Sequence, residues 1–559
     1  MSDGLPAALL GLSGVLREAE LRLDVPGVEE ARRVRGELVA QVEDYLVPRL
    51  ERMDAPLLMV VGGSTGAGKS TLVNSLVGAE VSQAGVLRPT TRAPVLVCHP
   101  EDVRWFEDER VLPGMARTTG GPAGPGGLQL APTEALTPGL ALLDAPDIDS
   151  VVEANRDLAR QLLAAADAWL FVTTAARYAD AVPWDLLQAA RDRGTSLCLV
   201  LDRVPPGAET EVAAHLAEML SERGLGGTDL LVVPEAQLEG GRLPAAALAP
   251  VRGWLDGLSA DAGARGELVR RTLTGALESL PGRVEAVAGA VAGQEEAASR
   301  LRAGADRAYA RGLEDIDEAV RSGSLLRGEV LARWHDVVGT GDVMRAFESR
   351  IGWLRDRVRS IVTGAPAADQ ELTTAVESSV DAVVHAAADR AAEDTAGTWR
   401  GDPAGRALLA GQARLDAASQ DLIARTREEV RGWQGFVFDL VGEEGASKRS
   451  SARLASLGVN GAGLTVMLAV FLQTGGLTGA EVVVAGGSSA LGHKLLEAIL
   501  GDQAVRTLAA RARDDLLARS ERLLATEAAR FHLLVDANAP QPGRADAIRA
   551  SLAGVRQAR

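Results

Sequence analysis

The chain has 559 residues, 47% of them hydrophobic and only 3% aromatic, with a formal net charge of −17. Such a length implies several domains, and the Ala-, Leu-, Arg- and Glu-rich usage favours long helices over β-sandwiches. The acidic balance excludes a nucleic-acid-binding surface, because neutralising phosphates needs clustered Lys and Arg.

Residues 4–53 read as helical, with Leu38, Val39, Val42, Tyr45 and Leu46 at helical spacing and charges on the other face. Residues 1–53 are expected to pack on helices from much later in the chain. Met1 to Val39 lacks the basic-then-apolar pattern of a secretory signal, so the chain is expected in the cytoplasm.

From about residue 57 to 258, strand and helix patterns alternate, the mark of a mostly parallel α/β sheet. The apolar run 57–61 (Leu-Leu-Met-Val-Val) predicts a buried strand, and Gly-Gly-Ser-Thr-Gly-Ala-Gly-Lys-Ser-Thr follows at 62–71. Gly63, Gly68, Lys69 and Ser70 fit G-x-x-x-x-G-K-[ST], the phosphate-binding loop. Glycines let backbone N–H groups turn inward around phosphates, and the helix that follows adds its positive end. The nucleotide-binding set is therefore Gly63, Ser64, Thr65, Gly66, Ala67, Gly68, Lys69, Ser70 and Thr71. Lys69 reaches the β- and γ-phosphates, and Ser70 ligates Mg²⁺. Of the 59 basic residues only Lys69, Lys448 and Lys494 are lysines, so an Arg-using chain still puts a flexible point charge at this position.

Further strands are expected at 95–99, 140–144, 168–173, 196–201 and 230–233, and the Gly/Pro-crowded 113–127 as a mobile surface loop. Cys98 and Cys198 fall in strands several places apart, at about 5 Å per strand, too far for a disulfide; buried thiols in a reducing compartment follow. Asp144 ends the third of these strands beside the phosphate loop, where a Mg²⁺-linked carboxylate belongs. A threonine hydroxyl in the proline-bracketed segment 88–94 is placed to close over γ-phosphate and Mg²⁺ as an ordering switch. The six histidines show no metal-ligand spacing.

The order Gly-Gly-Ser-Thr-Gly-Ala-Gly-Lys-Ser-Thr, then Pro-Thr-Thr-Arg-Ala-Pro, then Leu-Leu-Asp-Ala-Pro-Asp resembles GTPases of the translation-factor-related class, specifically the bacterial dynamin-like proteins. In that family a Thr-Arg-x-Pro switch is typical; it matches Thr91, Arg92, Ala93 and Pro94 here, and D-x-P-G matches Asp144 to Asp147. The resemblance implies a GTP- and Mg²⁺-using hydrolase, with Lys69 and Thr91 as catalytic groups and Ser70, Thr91 and Asp144 on the metal. It also implies self-assembly into a homodimer or larger form. The sequence departs from the family in three places. Asp147 stands for a glycine that meets the γ-phosphate, adding negative charge beside a polyphosphate. Gly66 and Ala67 are closer to septin-like loops. In the base-reading motif Asp202 and Arg203 are present, Arg203 replacing a stacking lysine, but Pro205 stands where the guanine-pairing Asp belongs, which leaves ATP open beside GTP. The loop 173–184 matches one that meets a second nucleotide domain across a dimer, through Arg177 or Asp180, unless Tyr178 and Trp184 simply pack it inward.

Beyond about residue 262 the pattern is helix after helix, punctuated at Pro281-Gly282, 364–366 and 401–403, as in a long bundle or stalk. Residues 457–480 carry no charge, and after Glu481 neither do 482–491; Lys448, Arg449, Arg453, His493 and Lys494 flank them. Arms of about 15 residues span near 22 Å, short of the roughly 30 Å hydrocarbon core, so 457–492 reads as a hairpin dipping into one leaflet or buried in the bundle. A membrane-dipping hairpin places the protein on the inner face of the cell membrane. Residues 503–534 read as a returning amphipathic helix, and 536–543 as the start of a loose tail. The expected fold is thus an α/β P-loop GTPase domain (54–262) with a long all-α bundle (263–455), an apolar hairpin (456–500) and the helix and tail of 501–559. An ABC-type ATPase is excluded for want of an L-S-G-G-Q-like signature. A nucleotide-gated scaffold with little hydrolysis, favoured by Asp147, stays as the alternative.

Overall fold

The computed structural model describes residues 4–82, 93–108, 115–147 (apart from 120, 122 and 125), 153–322, 366–445 and 502–559. Thr91 and the apolar stretch 457–492 lie outside these. Among the described residues no helix is long and apolar enough to cross a membrane.

Eight strands form one sheet in the order β3-β4-β2-β5-β1-β6-β7-β8. They are β1 (Leu57–Gly63), β2 (Val95–Cys98), β3 (Ala116–Thr119), β4 (Gly127–Pro132), β5 (Leu140–Asp144), β6 (Ala168–Thr174), β7 (Ser196–Val204) and β8 (Asp229–Pro234). The sheet is parallel except where β2 runs against β5. β1 is central and buried along its whole length, which is why it reads as a continuous apolar run. Residues of the strands on either side, such as Leu143 of β5, Phe171 of β6 and Leu201 of β7, join Leu58 and Val60 in one core with Leu162, Leu187 and Leu216. Those three come from α5 (Glu153–Ala164), α6 (Ala181–Arg193) and α7 (Glu209–Glu222). The α/β architecture and the six expected strands are all present. The loop expected over 113–127 is not: it contains β3. That strand is Ala-Arg-Thr-Thr at the sheet edge with exposed ends, so it needs no apolar run and leaves none to read. Cys98 and Cys198 are buried and free, on β2 and β7. Burial pushes the Cys98 thiol up to about 12, with Asp102 adding to it.

Compactness divides the chain differently from the five expected segments. One unit comprises residues 1–21, 27–293 and 540–559, the other 22–26 and 294–539. In the first, α1 (Leu5–Glu18) packs on α14 (Arg544–Ala558), and α2 (Val28–Ala40) runs into a π-helical turn, Gln41–Leu46, and α3 (Val47–Glu51). The expected loose tail is therefore a helix: Ala545, Ile548, Leu552 and Val555 repeat at helical spacing and are buried. α4 (Lys69–Val77) packs on β1 and β5, and α8 (Ala245–Ala260) on β8. α9 (Ala262–Arg321) contributes to this unit as far as Gly293 and continues through Pro281, where a break was expected.

Among its described residues the second unit has helices and no strand. It contains the rest of α9 with α10 (Pro366–Gly401), α11 (Pro403–Leu409), α12 (Leu422–Gly445) and α13 (Asp502–Asn538). Buried Trp399, Trp433 and Phe531 anchor its core. The indoles are satisfied, donating to Leu301 O at 3.1 Å and Ala512 O at 2.7 Å. Glu527 is fully buried and accepts from Ser419 N and Oγ while pairing with Arg425 and Arg530.

Candidate nucleotide site

The site lies where β1, β5, β6 and β7 end, around the loop that links β1 to α4. Gly63 is required there twice over. Its φ is +151°, and a Cβ would fall 2.1 Å from Val172 O, because β1 and β6 pair at these residues. Gly68, at φ +97°, caps α4, and a Cβ on it would lie 2.7 Å from Asp202 Oδ2. The first helical amide bond runs from Leu72 N to Gly68 O at 2.8 Å. The loop backbone is thereby set as a cradle that opens onto a helix N-terminus.

Lys69, almost wholly buried, folds back over this cradle. Its Nζ donates to Gly63 O at 2.8 Å, Ser64 O at 3.1 Å and Asp147 Oδ1 at 2.6 Å. Ser70 Oγ donates to Asp144 Oδ2 at 2.6 Å, since parallel pairing of β1 with β5 sets Val61 opposite Asp144. Ser82 Oγ donates to the same oxygen at 2.5 Å. Asn74 holds Ser82 there, accepting from Ser82 N at 2.9 Å and donating to Ser82 O at 2.7 Å. Complete burial pushes the Asp144 carboxyl above its usual range, against the pull of Ser70, Ser82 and Lys69. Among the described residues Asp144 Oδ1 has no hydrogen-bond partner. A buried carboxylate with one oxygen on two hydroxyls and the other unsatisfied suits a hard divalent cation, so the residues present fit Mg²⁺.

Asp144 Oδ1 is one of 17 buried side-chain atoms without a partner among the described residues, and one of four near this loop. Ser64 Oγ, Thr173 Oγ1 and Asp202 Oδ1 are also buried and without a partner, one each beyond β1, on β6 and on β7. Buried polar atoms are ordinarily satisfied, and four exceptions at the ends of these strands leave bonds open to a polar ligand.

On the flank formed by β7, Asp202 is buried and Arg203 takes a left-handed backbone, φ +54°, rare for a non-glycine. Arg203 donates from Nη2 to Gly66 O at 2.7 Å. Burial raises the Asp202 carboxyl, with Arg203 opposing. Asp202 and Arg203 thus touch the loop at Gly68 and Gly66, with Pro205 two residues further along the chain. Thr65, Gly66, Ala67 and Thr71 complete the cradle and the first turn of α4; Ala67 N donates to Ser64 O at 3.1 Å.

Arg177 touches this loop within one chain. Its Nη1 donates to Thr65 O at 2.7 Å and its Nε to Asp180 Oδ2 at 2.8 Å. Trp184 and Tyr178 pack inward as the sequence allows: Trp184 is buried and its Nε1 donates to Tyr178 O at 3.0 Å. Ser82 and the contact of Arg177 with Thr65 are additions that no sequence motif signals.

No family model matches the chain, and no curated protein matches it. Among solved structures it is similar to two of an oligomerised bacterial dynamin pair concerned with long-range sensing and tethering of membranes. The first is 11% identical with a TM-score of 0.38, over 100% of this chain and 96% of that one. The second is 10% identical with a TM-score of 0.37, over 94% and 91%. It is also similar to LeoA, a bacterial dynamin GTPase from ETEC, at 12% identity and a TM-score of 0.24 over 95% and 98%.

Proposed function

We propose that the chain is a Mg²⁺-dependent P-loop nucleoside triphosphatase of the dynamin-like kind, using GTP. The observation that supports this most directly is the set of unsatisfied buried atoms on Ser64, Asp144, Thr173 and Asp202 at the strand ends near a loop whose lysine and glycines suit phosphate. Lys69 grips the terminal phosphates, the loop N–H groups bind the rest, and Asp202 with Arg203 flanks the base. Ser70 and Asp144, with Thr91 as the switch ligand, would hold Mg²⁺, which would supply neutralisation of phosphate charge. No general base is needed, because phosphoryl transfer is catalysed mainly by positioning and charge.

In this reading nucleotide state orders the Thr91 and Asp147 segments and drives self-assembly or movement of the helices. Residues 457–492 then meet lipid on the cytoplasmic face of the cell membrane. The deciding experiment is phosphate release from GTP and ATP, with Mg²⁺, by the wild type and Lys69→Ala. Turnover of GTP that the substitution abolishes is expected; equal release from both proteins overturns the enzyme reading. Affinities for GTP and ATP measured alongside test base choice, which Pro205 leaves to Arg203 and the backbone. Flotation on liposomes with and without residues 457–492 tests the lipid contact; equal flotation removes it.

A second reading, a nucleotide-gated scaffold with little turnover, is favoured by one contact. Asp147 sits on Lys69 where a terminal phosphate would compete for the same ammonium group.

A further inference from the structure

Arg177 is held against the phosphate loop by its own chain, and the geometry points to a role in turnover. We infer that Arg177 is a charge-stabilising residue acting in cis on the transferred phosphoryl group, an inference that rests on the triphosphatase reading above.

The placement follows from three observations. Lys69 Nζ bonds Gly63 O and Ser64 O, so the start of the loop is the end at which terminal phosphates are gripped. Thr65 is the next residue, and Arg177 Nη1 sits 2.7 Å from its carbonyl oxygen. Thr173, whose hydroxyl is buried and unsatisfied, follows Val172, the partner of Gly63 in the sheet; the segment that carries Arg177 thus leaves the sheet beside that same end.

The segment is also braced. Arg177 N donates to Thr174 O at 2.9 Å and Asp180 N to Arg177 O at 3.1 Å, closing tight turns around the arginine. Asp180 holds Nε, and Trp184 holds Tyr178 O while the Arg223 guanidinium stacks 4.0 Å from the Trp184 ring centre. Tyr178 in turn pairs its hydroxyl with His215 Nδ1 at 2.8 Å. A planar cation fixed before the reaction costs little reorganisation during it, which is the condition for large electrostatic stabilisation. The chemistry is hydrolysis. A water oxygen forms a bond to the γ-phosphorus, and the bridging P–O bond breaks with its electron pair leaving on the diphosphate. The water proton ends on inorganic phosphate. Charge grows on the equatorial and bridging oxygens in that loose transition state, and the cationic fork that Thr65 O and Asp180 hold beside the loop stabilises it.

The test uses the full-length protein and compares wild type, Arg177→Ala and Arg177→Lys with Mg²⁺ and GTP. The expected result for Arg177→Ala is a fall in kcat of about a hundredfold or more, with GTP affinity within about threefold and an unchanged melting temperature. Arg177→Lys, which keeps charge but not the fork, should fall between. GDP with aluminium fluoride, a transition-state mimic, should bind the wild type and not Arg177→Ala; GDP with beryllium fluoride should bind both. A role confined to bracing the loop would weaken both complexes alike and overturn the inference. So would an unchanged kcat. Adding Lys69→Ala protein to Arg177→Ala should restore nothing; restored turnover would show that the arginine serves a second copy, and would overturn the cis assignment. A wild type without turnover above Lys69→Ala would overturn the triphosphatase reading itself, a result distinct from a hydrolase indifferent to Arg177.

Discussion

Arg49 and Asp167 meet at the start of β1, and Lys69 and Asp147 at its end, roughly 17 Å of strand apart. Both pairs bury a cation, yet they are built differently. Arg49 Nε lies 3.0 Å from Asp167 Oδ1, and neither side chain is more than 8% exposed. Asp167 Oδ2 accepts from Leu58 N at 2.8 Å, and Arg49 Nη1 donates to Ala55 O at 3.0 Å. Burial pushes the Asp167 carboxyl up, and Arg49 is the main force holding it ionised. At the other end Asp147 is 17% exposed, and Lys69 would keep two carbonyl partners without it. One pair ties α3 to the foot of the sheet for good. The other, on the triphosphatase reading proposed above, is a contact that a more highly charged ligand displaces.

Breaking the sealed pair should have the largest effect. Arg49→Ala leaves Asp167 buried and alone, which costs about 3–5 kcal/mol of stability, read as a lowered urea midpoint. Replacing both, Arg49→Met with Asp167→Asn, keeps an acceptor for Leu58 N and should recover most of that loss. A midpoint that Arg49→Ala leaves in place would make the two ends alike and remove the contrast.

The displaceable pair should respond in the opposite sense. Asp147→Asn keeps the backbone N–H but removes a negative charge beside the phosphates and frees Lys69 for them. Nucleotide affinity should rise by about 5- to 30-fold, equivalent to about 1–2 kcal/mol, with little change in stability. Titration calorimetry with GTP and Mg²⁺ reads it directly. Unchanged affinity would mean that the Lys69–Asp147 contact does not compete with nucleotide.

The two ends were not equally legible. The phosphate-loop end announces itself, because Gly63, Gly68, Lys69 and Ser70 are local in sequence and β1 and β5 are unbroken apolar runs closing on a loop or an aspartate. Its non-local parts leave no trace: Ser82 reaches Asp144 across 62 residues, and Arg177 reaches Thr65 across 112. The sealed end carries no motif at all, since Arg49 and Asp167 are ordinary surface-type residues until the fold buries them. The same logic covers β3, polar because it lies at an edge, and α14, whose four apolar positions are too few to stand out beyond a Gly/Pro-rich turn. Local chemistry is readable; partners chosen by tertiary packing are not.

The smallest expected effect sharpens how the sealed end is tuned. Asp44 sits on the π-helical turn beside Tyr45, and its carboxyl is raised to about 6, first by burial and second by Glu43. Its folded value is above the unfolded one, so the folded state binds the proton more tightly. The stabilising share is present below about pH 4 and is lost as pH rises through about 6. At pH 7.5 the ionised group therefore works against the fold, by about 1 kcal/mol once its partial exposure is discounted. Asp44→Asn, which mimics the neutral acid, should raise stability by that amount at pH 7.5 and by almost nothing at pH 4. Urea midpoints of the two proteins across this range give the curve. A gain that is the same at both ends of the range would assign the effect to packing and not to charge. A gain confined to high pH would show that this end of the sheet tolerates ionised carboxylates only where, as at Asp167, a cation is locked beside them.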